Sequence, residues 1–286
     1  MFKFFANIFG YVLNFIYGII GNFGLSIIIF TILLRVILIP MTIKQQKTMK
    51  KSAKVQGKLK ELQDKYSNDP VRLNQEMMNL YASEKMSPFS GCLTSILQII
   101  VVIAVFFVVS SPLTYMKKIP LSKIDEYKKV ISEEIKDNKN YVEISIIKHL
   151  GKTEKDVNIN MNFLGLDLSD IPSKDYSDIK VFIIPVLYII TSIVSTKLTM
   201  AATKTNKKQE EITVTKEDEK LVRTDNKEDE MEMVEAMSKN MTYMMPMMTV
   251  MVALIAPLGL ALYWFVSNLI MIIERLLMKR FIKEEE

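Results

Sequence analysis

The chain of 286 residues has one cysteine, Cys92, and one histidine, His149. A lone cysteine excludes an internal disulfide, and its place in an apolar stretch suits a small buried hydrophobe. A lone histidine excludes a two-histidine metal site, and no nucleophile elbow accompanies it to build a Ser/His/Asp triad. A nucleotide loop is lacking as well. Gly151-Lys152-Thr153 ends like one, yet Ile146 stands where the first glycine belongs and no buried strand precedes it. No small-x-small cleavage site and no lipid-attachment cysteine follow the apolar N-terminus, so 1–22 reads as retained. Acidic side chains are missing where they would matter most, within the apolar cores. Neither a metal nor a cofactor is expected, and enzyme function is the weakest reading.

What the chain does have is apolar residues in blocks. Hydrophobic residues make up 49% and the mean hydropathy is +0.18, an average that decides nothing until the blocks are read. Five segments are long enough to cross a bilayer: 23–43, 89–111, 180–199, 241–256 and 257–277. The last two meet at Ala256-Pro257-Leu258-Gly259, a turn signal between antiparallel helices. Basic residues follow the first span (Lys44, Lys47, Lys50, Lys51, Lys54), the third (Lys197, Lys204, Lys207, Lys208) and the last (Arg275, Lys279, Arg280). An excess of Lys and Arg marks cytosolic ends. The expected fold class is therefore all-α and polytopic, with the N-terminus outside a cell membrane and the C-terminus in the cytoplasm.

The connecting segments divide by composition. Phe4, Phe5, Ile8, Val12, Phe15 and Ile19 repeat at helical spacing with Lys3, Asn7, Gly10 and Asn14 between them, which suits an amphipathic helix over 1–22 lying in the outer interface. Within 44–88, Val55, Leu59, Leu62 and Tyr66 alternate at 4-3-4 and Leu73, Met77 and Leu80 at 4-3, around Ser67-Asn68-Asp69-Pro70. Asp69 before Pro70 reads as an N-cap with proline at the first helical position, so a cytosolic helical hairpin is expected. The outer region 112–179 holds short helices near 124–136 and 142–149 and no recognisable chemistry. The loop 200–240 has too little apolar content for a core, and 278–286 is a short tail. The methionines between Met241 and Met251 suit flexible core filling, or an adaptable surface for varied ligands.

One residue contradicts its surroundings. Arg35 lies among apolar neighbours, about 13 Å along a helix from Lys44, too deep for an ordinary interface anchor although snorkelling would lift it part of the way. A charge in hydrocarbon costs a few kcal/mol at the least and is normally kept where it meets water or a ligand. Polar residues at spacings of three or four accompany it: Thr31 on the first span, Thr94 and Gln98 on the second, Ser192 and Ser195 on the third, and Trp264, Ser267 and Asn268 on the fifth. These stripes fit interhelical hydrogen bonding, the usual use of Ser and Thr in spans, or the wall of a wet groove. With no acid inside the cores, Arg35 is expected to lack an ion-pair partner and so to require water or an anionic guest. Glu274 is the nearest acid and is assigned to the cytosolic end of the last span.

An ordered set of motifs then points to a family. Leu33-Leu34-Arg35-Val36-Ile37-Leu38-Ile39-Pro40 with Gln45-Gln46-Lys47, Ser90-Gly91-Cys92-Leu93 with Gln98, Phe163-Leu164-Gly165-Leu166-Asp167-Leu168-Ser169, Met245-Pro246-Met247-Met248, and the stretch from Pro257 to Asn268 occur in sequence. The chain resembles the YidC/Oxa membrane-protein insertases, in the five-span form of Gram-positive bacteria. That resemblance implies a groove open to cytosol and lipid and closed to the outside, with Arg35 matching the family's groove arginine. It implies substrate contact along the third and fifth spans and recruitment by the hairpin. It further implies nascent membrane proteins as clients, the ribosome, the signal recognition particle system and the Sec translocon as candidate partners, the lipid bilayer as setting, and no DNA. Thr94 and Ile99 depart from the family pattern, which has proline at both places.

The mechanism implied needs no nucleotide. A hydrophilic cavity in the cytosolic leaflet shortens the dry path for a substrate's polar tail, and partitioning of the hydrophobic segment drives insertion. Two rivals use the same residues: an anion transporter or channel built on Arg35, and a membrane scaffold whose hairpin docks ribosomes. No inverted repeat of the transporter kind is visible.

Overall fold

A computed structural model of the chain describes residues 2–67, 69–84, 90–135, 140–175, 178–210 and 251–282. Segment 211–250, including most of the loop 200–240 and the first ten positions of the span 241–256, lies outside the described residues, as does the side chain of Thr94. The helices are α1 (Phe2–Ile20), α2 (Phe23–Lys65), α3 (Pro70–Ser83), α4 (Ser90–Ser110), α5 (Pro112–Tyr115), α6 (Leu121–Val130), α7 (Ser132–Ile135), α8 (Val142–Leu150), α9 (Ile183–Glu210), α10 (described over 251–255) and α11 (Leu258–Ile282). Two strands of two residues, β1 (Asn162–Phe163) and β2 (Leu166–Asp167), pair antiparallel.

This is an all-α polytopic membrane protein with four to five apolar membrane-spanning helices. Among the described residues Phe2–Ile20, Phe23–Thr48, Ile179–Leu198 and Leu258–Leu277 are long and apolar enough to cross, and Gln98–Ser110 adds a shorter apolar stretch within α4. Large apolar side chains are exposed along them, including Ile29, Leu33 and Ile37 on α2, Val186, Ile190 and Val194 on α9, and Leu269, Ile273 and Leu276 on α11. A water-soluble surface rarely tolerates such contiguous patches; hydrocarbon does.

The described residues form two compact units. One is drawn from Met1–Ile37, Gln98–Ser195 and Met247–Glu286, the other from Leu38–Leu97 and Thr196–Pro246. In the second, α2 continues through Pro40 to Lys65, so the apolar stretch and the first hairpin arm belong to one helix. Asp69 caps α3 by accepting from the Arg72 N–H at 3.0 Å, with Pro70 in the first turn where its missing N–H costs nothing. Val55 is buried and Leu59, Leu62, Tyr66, Leu73, Met77 and Leu80 are half-buried, the spacing of a narrow seam. Lys58 Nζ meets Glu84 Oε1 at 2.6 Å and ties the two arms.

In the first unit, segment 158–175 closes one end of the helices. The backbone N–H groups that open a helix have no partner inside it. Here the Phe23 N–H donates to the Asn160 carbonyl, and the Leu258 and Gly259 N–H groups donate to the carbonyls of Asp170 and Leu168. Asn22 completes the start of α2, its Oδ1 accepting from Leu25 N–H and its Nδ2 donating to the Asn162 carbonyl. The β1–β2 turn brings this about. Leu164 and Gly165 both have positive φ, 52° and 82°, as a two-residue type I′ hairpin requires.

Helix α1 packs on a face other than its most apolar one. Ala6, Gly10, Leu13 and Ile16 are buried, while Phe4, Phe15 and Ile19 stay exposed. Gly10 is there because α5 comes so near that a Cβ would lie 1.9 Å from the Tyr115 carbonyl oxygen. Around the same contact Lys118 donates to Asn7 Oδ1 at 2.7 Å and sits over the Tyr11 ring, and Lys117 lies over the Tyr17 ring.

Candidate functional site

Arg35 sits on α2 twelve residues after its start, about 18 Å along the helix. Its side chain is 12% exposed within the protein. Nη2 donates to Ser267 Oγ of α11 at 2.5 Å. Of the five N–H donors of the guanidinium, the described residues engage that one.

The expectation that Arg35 lacks an ion-pair partner is corrected. Glu274 of α11 places Oε2 3.9 Å from Arg35 Nη1, with its own side chain 11% exposed. The distance permits Coulombic attraction and exceeds a hydrogen bond. Neither Glu274 oxygen has a hydrogen-bond partner among the described residues. Assigning Glu274 to the end of the span concealed its reach. The spacing held the signal: Glu274 follows Ser267 by seven residues, two turns, and therefore returns to the same face. Arg275, seven after Asn268, donates from Nη1 to the Ser195 carbonyl of α9 at 3.1 Å.

The remaining candidates divide. Ser267 joins the arginine directly. Ser192 and Ser195 are buried, and Trp264 is half-buried with its ring 5.9 Å from that of Tyr188, so α9 and α11 meet along this stretch. Thr31 is buried, but its hydroxyl donates to the Ile27 carbonyl of its own helix at 2.6 Å and so is satisfied locally. Gln98 and Asn268 are half-buried. The cluster thus brings together α2, α9 and α11 around two guanidinium groups and one carboxylate. Among the described residues the fork of Arg35 makes one hydrogen bond, to Ser267. Among the described residues no group of three or more His, Cys, Asp or Glu is placed to hold a metal ion.

A second polar centre lies in 112–175. Glu143 of α8 is buried and accepts from both Thr114 N–H at 2.9 Å and Thr114 Oγ1 at 2.6 Å, holding α5. Burial pushes its carboxyl above the ordinary glutamate value, partly offset by these hydrogen bonds. Lys148 of the same helix meets Asp170 at 2.7 Å and Asp175 at 3.2 Å. Burial lowers and these two carboxylates raise its pKa, with a net rise. Both contacts brace the segment that caps α2 and α11.

Comparison with known proteins gives a consistent result. The model of the family described as 60Kd inner membrane protein matches residues 15–285. A membrane protein insertase YidC of Fusobacterium nucleatum is 28% identical over 256 residues, which is 90% of this chain and 85% of that protein. Proteins of the same name from Caldanaerobacter subterraneus and Rickettsia prowazekii are 42% and 40% identical over 97 and 96 residues; each match covers 34% of this chain, with 47% and 17% of those proteins.

Proposed function

The chain belongs to the 60Kd inner membrane protein family, that of the YidC/Oxa insertases, and from that premise we propose that this multi-pass membrane protein inserts nascent transmembrane segments. Its activity is the transfer of polypeptide into lipid, not the catalysis of a chemical reaction. The observation that carries the reading is the Arg35 guanidinium, enclosed among apolar helices with a single hydrogen bond from its fork to a described residue.

In this reading Arg35, Ser267, Ser192, Ser195, Trp264, Asn268 and Gln98 line a hydrophilic groove open to the cytosol and to lipid. Thr31 lies one helical turn before Arg35 on the same face of α2. A substrate's polar tail enters water held in the groove, so it loses hydration over only part of the bilayer. The hydrophobic segment then partitions, at roughly 0.3 to 0.6 kcal/mol for each Leu, Ile, Phe or Val. Some twenty such residues supply on the order of 10 kcal/mol, enough to offset a few polar groups without nucleotide hydrolysis.

The finer architecture follows the same reading. Five spans, a cytosolic hairpin over 44–88 and an outer interfacial helix over 1–22 match the short form found in Gram-positive bacteria. For α1, support comes from its contacts at Asn7, Tyr11 and Tyr17 with Lys117 and Lys118, which lie just beyond α4. A helix engaged from Asn7 to Tyr17 with that one connection suits an in-plane position, although its length and composition would let it cross. The basic clusters orient the N-terminus outward and the C-terminus inward. Segment 158–175, by satisfying the first N–H groups of α2 and α11, is suited to seal the outer side. Nascent membrane proteins are the clients; the ribosome, the signal recognition particle system and the Sec translocon are the partners that would deliver them.

Reconstitution in liposomes tests the reading against its rivals. A small single-span substrate with an acidic translocated tail is expected to become protease-protected only in vesicles holding the protein, with no added nucleotide and no ion flux. Anion flux without insertion would establish a channel or transporter. Ribosome binding without either would establish a scaffold.

A further inference from the structure

Glu274 is a buried ionisable group beside Arg35 that the insertion mechanism leaves without a task. Its two oxygens are shielded from solvent and lack hydrogen-bond partners among the described residues, yet Oε2 stands 3.9 Å from Arg35 Nη1. A carboxylate retained in this state is costly unless a charge offsets it. Arg35 is that charge, but the hydrogen bond from its fork goes to Ser267 at 2.5 Å, not to Glu274. The neighbouring cation, Arg275, is anchored to the Ser195 carbonyl at 3.1 Å.

An opposite charge at ion-pair distance without a hydrogen bond acts in one particular way. From a distance several times their separation, Arg35 and Glu274 present a dipole, and the attraction that a lone guanidinium would exert on a remote anion is largely cancelled. At contact the cancellation fails, because an incoming carboxylate can take two parallel N–H groups that Glu274 does not hold. Replacing Glu274 by a neutral residue would remove the competing negative charge and leave Arg35 its full attraction for an anion.

We infer that Glu274 is a specificity-determining residue of the groove, competing with acidic groups of the substrate for Arg35 and so limiting how strongly acidic translocated tails are favoured over neutral ones. The inference rests on the insertase reading. Its physical content is a ratio: the acid lowers the advantage of an acidic tail and has no matching effect on an uncharged tail.

The test uses the full chain in liposomes and two single-span substrates identical except for an acidic or a neutral translocated tail. The readout is the ratio of acidic-tail to neutral-tail insertion within each variant, so any uniform loss of active protein cancels. Glu274→Gln is expected to raise that ratio about tenfold, the factor that 1.4 kcal/mol makes. Arg35→Gln/Glu274→Gln is expected to remove the preference. Glu274→Asp, which retracts the acid by one methylene, should raise the ratio by less and carries the test where Glu274→Gln does not fold. An unchanged or lowered ratio in the folded Gln and Asp variants would overturn the inference while leaving insertion itself intact. Failure of the insertase reading looks different: the unaltered protein would insert the neutral-tail substrate no better than protein-free vesicles.

Discussion

Removing the Arg35 side chain perturbs stability and function together, and the Arg35–Glu274 geometry allows the two to be separated. Arg35→Ala deletes a charge-assisted hydrogen bond to Ser267, a contact of about 1.5 to 3 kcal/mol. It also strips Glu274 of the opposite charge 3.9 Å away, an attraction of about 4 kcal/mol at an effective dielectric constant of 20. The net loss is smaller, because desolvation of Arg35 is also relieved; leaving one partner of a buried pair alone typically costs about 3 kcal/mol or more. For a chain of this size each kcal/mol lowers Tm by roughly 2 to 4 °C. Arg35→Ala should therefore unfold about 6 to 12 °C below the unaltered protein in the same lipid nanodiscs. Adding Glu274→Gln removes the stranded acid and should recover at least half of that loss. Insertion of an acidic-tail substrate, measured by protease protection in liposomes, should not recover, since the attracting cation remains absent. Recovery of stability and insertion together would refute the reasoning, because it would make Arg35 a structural counter-ion for Glu274 and nothing more. A double variant no more stable than Arg35→Ala would refute the electrostatic account of the pair.

Two further outcomes concern the segments that brace the spans. Gly10→Val puts side-chain atoms where a Cβ alone would lie 1.9 Å from the Tyr115 carbonyl, so α1 must lift off α5; overpacking of this kind costs about 1 to 3 kcal/mol, and limited proteolysis near α1 should accelerate. Glu143 has a pKa raised by burial above the ordinary 4.5, so the folded state holds its proton more tightly than the unfolded state. Stability should then fall as pH rises from about 4.5 through the raised value, and Glu143→Gln should remove that slope from thermal unfolding recorded between those pH values.

Much of the architecture was legible from local rules. Apolar blocks of sufficient length, Asp69-Pro70 at a helix start and the seam from Val55 to Leu80 each follow from spacing and backbone chemistry within a few residues of one another. Arg35 was legible for the same reason, since a charge inside an apolar run announces itself. What spacing did not convey was distance between helices. The expectation of an unpartnered Arg35 failed because Glu274 was judged by its place along α11 and not by the face it shares with Ser267. The packing face of α1 carried no such signal: the near approach of α5 selects the side with Gly10, where the backbone can come close.

By itself the sequence determined that this chain lives in a membrane, where its long apolar helices lie, which ends carry positive charge and that one cation falls inside an apolar run; each is a property of a continuous stretch, set by transfer energies and helix periodicity. Only the tertiary structure decided what that cation touches and that carbonyls of 160–170 complete the first turns of α2 and α11. Those contacts join residues up to 232 positions apart, and their energies depend on distances of a few ångströms that no local pattern encodes.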